Sequence, residues 1–143
     1  MNMRGLLIGC VVAVAPLAAA DPPAPRVTNN NYAFGKKYTS TVTQVALDRG
    51  PRWKADADDP PLPARKAIRA ADALKVRVAK LADGWTWEFK GAALKPLGKD
   101  QWYWSVTYEA EKEGVASFGP WRLELIVLMD GTAVEPVVTT DKK

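Results

Sequence analysis

The stretch Trp102-Tyr103-Trp104-Ser105-Val106-Thr107-Tyr108-Glu109-Ala110 decides the fold. Successive side chains of an extended strand point to opposite faces, so Trp102, Trp104, Val106, Tyr108 and Ala110 share one side and Tyr103, Ser105, Thr107 and Glu109 the other. Such alternation belongs to an antiparallel sheet with one covered face. The flanking sequence repeats it. Upstream, Trp85, Trp87 and Phe89 alternate with Thr86, Glu88 and Lys90, and Gly91 marks a bulge before the strand runs on toward Leu94. Downstream, Trp121, Leu123, Leu125, Val127 and Met129 make one face of a further strand, and Asp130-Gly131 signals a hairpin ahead of a last strand from Thr132 to Val138.

Before Trp85 the period changes. Ala67, Ile68, Ala71, Leu74, Val78 and Leu81 recur at three and four and predict a helix that Pro63 enters and Asp83-Gly84 ends. Its other faces carry Arg65, Lys66, Arg69, Lys75, Arg77 and Lys80 against Asp72 alone. Arg49 to Pro61 holds Pro51, Pro60 and Pro61 and predicts a loop, with Trp53 pinning it to the domain. Tyr38 to Leu47, dense in Thr and Val, predicts a first strand, whereas residues 21–37, with Pro22-Pro23 and Asn29-Asn30-Asn31, read as a flexible spacer. The expected order is β-α-β-β-β-β, an α+β class in which one helix packs on a four- to five-stranded antiparallel sheet, with residues 38–143 as a single domain.

The chain begins with Arg4, an apolar run from Gly5 to Val14 and Ala18-Ala19-Ala20 before Asp21, which predicts a secretory signal over residues 1–20 and a secreted or periplasmic protein. A rival reading takes Leu7-Ile8-Gly9-Cys10 as a lipoprotein box with Cys10 as a lipid anchor; only five apolar residues precede Cys10, and the apolar run continues beyond it. Removal of Arg4 with the leader lowers the formal net charge from +4 to +3, too mild for a nucleic-acid signature. Cys10 is the only cysteine and there is no histidine. The mature segment therefore has no disulfide, no imidazole or thiolate for a metal, no Ser-His-Asp or Cys-His constellation and no His or Cys for a haem iron. No cofactor is expected, and the protein reads as a non-enzyme.

Taken together, Leu62-Pro63-Ala64-Arg65-Lys66-Ala67, the helix to Leu81, the strands opening at Trp85 and Trp102, and the turn at Val127-Leu128-Met129-Asp130-Gly131 resemble PepSY-like secreted domains over about Pro60 to Val138. The resemblance implies a cystatin-like roll, a helix gripped by an antiparallel sheet, in a bacterial exported or envelope protein, and a module of the kind attached to peptidases as a restraint. Leu62-Pro63 stands where such domains often have Ser-Pro, and the loop from Glu109 to Gly119 is long. The family has no settled active site, so no residue role carries over.

Three surfaces are candidates for function. The strand face opposite Leu123 begins polar with Arg122 and Glu124 and turns apolar at Ile126 and Leu128, so either the first strand and the Trp53 loop cover it or a protein or peptide partner docks on Tyr103, Ile126 and Leu128, with Trp53 as a further aromatic contact. Alternatively Arg65, Lys66, Arg69, Arg77 and Lys80 hold a polyanion or an anionic membrane surface. The carboxylates at Glu109, Glu111 and Glu113 and at Asp56, Asp58 and Asp59 lack the order of a calcium loop, and nothing sets two of them across a cleft. The tryptophans read as core before platform, since Phe89, Val106 and Tyr108 share their faces.

Overall fold

The computed structural model describes residues 24–115 and 121–140; the expected leader, Cys10 and the end of the loop after Glu109 lie outside them. Eight elements follow one another: β1 (Pro25–Ala33), β2 (Lys36–Thr43), α1 (Gln44–Asp48), α2 (Ala64–Val78), β3 (Trp85–Pro96), β4 (Trp102–Lys112), β5 (Arg122–Leu128) and β6 (Val137–Thr140). The strands form two antiparallel sheets of three, β1-β2-β6 and β3-β4-β5. The protein is mostly β, at 46% strand and 18% helix, which corrects the expectation of one helix on one four- to five-stranded sheet.

The β3-β4-β5 sheet follows the alternation. Trp104, Val106, Tyr108, Leu123, Leu125, Val127 and Met129 are buried on one face beneath Ala67, Ala71 and Leu74 of α2. Small residues on the helix let it approach closely, and Trp104 Nε1 donates to Leu62 O at 2.8 Å, fixing the segment that leads into α2. The bulge lies where Gly91 suggested, between Phe89 and Gly91.

In the other sheet β2 overlaps the expected first strand, whereas β1 was not expected, because its cues are tertiary. Pro25–Ala33, expected to be spacer, pairs along β2 from Pro25↔Thr43 to Ala33↔Lys36. The two-residue turn between them places Phe34 (φ 53°) and Gly35 (φ 69°) in the left-handed region, the twist that suits a tight hairpin but without the usual Asn-Gly. An asparagine run disfavours a strand on propensity. Here Asn31 is buried: its Nδ2 donates to Glu124 O at 3.1 Å and its Oδ1 accepts from Glu124 N at 3.1 Å, so one side-chain amide occupies the free edge of β5 as a neighbouring strand would. Thr43 then ends β2, its Oγ1 capping α1 by accepting from Ala46 N at 3.3 Å, so Leu47, expected on the first strand, sits on a helical turn.

Asp130-Gly131 does reverse the chain. Gly131 (φ 91°) closes a turn in which Leu128 N donates to Thr132 O and Asp130 Oδ1 accepts from Thr132 N, each near 2.8–2.9 Å. The return follows β5 only through Ala133 and Val134. Pro136 offers no N–H to extend that ladder, and Val137–Thr140 crosses to pair with Lys36–Thr39 of β2. The last strand, expected over Thr132 to Val138 in one sheet, therefore completes the other. Val42 and Leu47 thereby meet Tyr103, Ile126 and Leu128 in a second, smaller core on the face of β4 and β5 away from α2.

Candidate functional site

α2 lies over β4 and β5. β3 overhangs, and Phe89 is 45% exposed although it faces fully buried Tyr108 in register, their rings 6.2 Å apart. Trp85 and Trp87 are half-buried on the same overhang. Trp87 Nε1 donates to Ala79 O at 2.8 Å, tying β3 to the end of α2 and satisfying a carbonyl that the helix leaves open. Small Ala110 pairs with Trp87 and donates its N–H to Trp121 O, leaving room above it for an aromatic group. Phe34, at the tip of the β1-β2 turn, lies 5.2 Å from Trp85 and 4.2 Å from Trp121, ring centroid to ring centroid.

This arrangement leaves a recess of about 500 Å³ between the last turn of α2 and the start of β3, walled by Lys75, Val76 and Lys80 and floored by Trp85 and Trp87. The size suits a side chain or a short ligand. Val76 is 71% exposed, an aliphatic residue presented to water on a helix whose apolar face is already committed. Across Trp85 a second recess of about 250 Å³ is bounded by Lys112 and Val115. The hollow beside α1 and Trp102, at about 10 Å³, has room for about one water.

The residues singled out in the sequence are dispersed. Tyr103, Ile126 and Leu128 are buried beneath Val42 and Leu47, so the expected docking face is internal core. Its change of character follows its cover: Ile126 and Leu128 lie under β2 and α1, while Glu124 meets Asn31 at the margin and exposed Arg122 lies beyond it. Trp53 pins the loop as expected, its N donating to Asp100 O at 2.9 Å, its O accepting from Trp102 Nε1 at 3.0 Å, and its ring 5.0 Å edge-on from that of Trp102. Arg65, Lys66 and Arg69 are exposed at the far end of α2; Arg77 reaches Glu135 at 3.5 Å; Lys80 rims the recess.

Several charged groups are paired within the fold. Glu88, Glu109 and Glu111 surround Lys90, which contacts Glu111 at 2.6 Å and pairs with Glu88, holding the ammonium well above its ordinary pKa. Under α2, Tyr108 Oη donates to Asp72 at 2.9 Å while Lys75 Nζ meets the same carboxylate at 2.9 Å and sits 4.0 Å from the Tyr108 ring centroid. Burial, with the Asp72 contact, raises the phenol's pKa far above its usual value. Between the sheets, burial pushes the Glu124 carboxyl up, but hydrogen bonds from Lys95 and Ser105 and the charges of Lys95 and Arg122 outweigh it and hold the group below its ordinary range. These groups are paired with one another.

The recess was missed because Trp85 and Trp87 carry the same alternation as the buried Trp104, and period alone does not say where a helix stops. One cue was available: Val76 lies among the charged positions of α2, off its apolar face. Comparison of the chain with protein-family models, with curated proteins and with solved structures returned no match, so the site stands on its own geometry.

Proposed function

We propose that the protein is an exported, non-enzymatic binding domain of the cell envelope or exterior that takes an extended protein or peptide segment along β3, anchoring it in the recess beside α2. The observation that carries this reading is the recess itself, opening beside an uncovered edge strand. β3 is twelve residues long and, among the described residues, pairs only with β4, leaving the backbone groups of its other side without a strand partner there. An added strand takes its affinity from those groups and its specificity from pockets for alternate side chains. A PepSY-like restraint on a peptidase would be one use of such a site.

The test is selection of displayed random dodecapeptides on the full chain, followed by amide hydrogen exchange of the complex. Protection confined to β3 and the end of α2 is the expected result. Binders that protect only the first turns of α2, or no binders at all, would sink the proposal. A second reading has its own observation: Arg65, Lys66 and Arg69 are exposed together and make no ion pair among the described residues. Polyanion binding there would collapse as salt rises, whereas a segment held by backbone hydrogen bonds and apolar contact would persist.

A further inference from the structure

We infer that the segment taken by the α2–β3 recess is acidic: an extended peptide whose apolar anchor rests on Trp87 and Val76 while its flanking carboxylates meet Lys80 on one side of Trp85 and Lys112 on the other. The inference rests on the peptide-binding reading and specifies its ligand.

The cations around the recess are unequally committed. Among the described residues no carboxylate lines the larger recess, whose cations are Lys75 and Lys80. Lys75 is occupied by Asp72 and by the Tyr108 ring. Lys80 is exposed and makes no ion pair among the described residues. It lies two residues past the end of α2 and borders the same recess as Val76, so an aliphatic surface and an ammonium group share one hollow. Across Trp85, Lys112 holds its Nζ 6.0 Å from the indole centroid, bordering the smaller recess. The acid that lines that recess, Glu111, is tied to Lys90 at 2.6 Å.

A competing effect comes from the helix. The end of α2 presents about half a negative charge, which opposes an anion. Ala79 O, however, accepts from Trp87, and Lys75 and Arg77 lie in that last turn. Two full cations at Lys80 and Lys112 outweigh what is left. A basic segment would meet those cations with nothing to offset them, and a neutral one would leave them without partners.

Sequences recovered from the dodecapeptide selection read the inference directly, because Asp and Glu are then counted against the unselected library. Enrichment of acids flanking one large apolar residue is expected. The double variant K80Q/K112Q, altered only at exposed positions, should keep the parent's melting temperature, lose about tenfold in affinity for the acidic peptides, and bind Gln-substituted versions of them as the parent does. Selected peptides that are neutral or basic, or acidic peptides indifferent to K80Q/K112Q, overturn the acidic preference and leave peptide binding standing. Selection that yields no peptide, while heparin or vesicles of anionic lipid bind in its place, overturns both.

Discussion

Phe89 and Tyr108 face each other across two paired strands, on the same side of the same sheet, and one is 45% exposed while the other is fully buried. Their strands carry the same alternation, Trp85-Thr86-Trp87-Glu88-Phe89 and Trp104-Ser105-Val106-Thr107-Tyr108. The difference lies above them, since α2 covers β4 and β5 and stops short of β3. Alternation is thus a property of the strand, while burial is a property of whatever lies over it. On β4 the aromatic residues are core; on β3 they remain half-buried or exposed.

The comparison breaks first at Trp104. Trp104→Ala removes a buried indole and its bond to Leu62 O and should cost about 3–5 kcal/mol in urea unfolding. A loss under about 1 kcal/mol would mean that β4 and β3 do not differ as described. Leu128→Ala tests the opposite face. Enclosed by Val42 and Leu47, it should cost about 2–4 kcal/mol, whereas an open docking face would scarcely register it. Acid tests the seam between the sheets. Because Glu124 has a folded-state pKa below its unfolded value of about 4.3, its contribution is complete above that value and fades as pH falls through the lowered one. Glu124→Gln should therefore lower stability at neutral pH and flatten its decline below about pH 4; parallel acid profiles for the two proteins would refute the pairing. The smallest effect belongs to β3, where Phe89→Ser should change stability by no more than about 0.5 kcal/mol. A larger loss would place Phe89 in the core with Tyr108.

Much of the β3-β4-β5 sheet was legible: strand faces, the Gly91 bulge, the helix from Pro63 and the reversal at Asp130-Gly131 all follow from local pattern. What was illegible depends on distant partners. Asn29-Asn30-Asn31 reads as linker until Glu124, far along the chain, gives Asn31 its two hydrogen bonds. For Ile126 and Leu128 the sequence left two covers open, the first strand with the Trp53 loop or a partner, and β2 and α1 lie over them. The candidate site was hidden for the same reason, because which strands α2 lies over is not written in any one segment.

The pairing of β6 with β2 bears on when the fold can form. Lys36 meets Thr140 roughly a hundred residues later, and the entropy of closing so long a loop must be met before its four paired positions give anything in return. Local structure such as α2 and the β3-β4 hairpin has no such wait. During synthesis the first sheet remains two strands until Val137–Thr140 is made, and in refolding the amides shared by β2 and β6 should be the last to gain protection in pulsed hydrogen exchange.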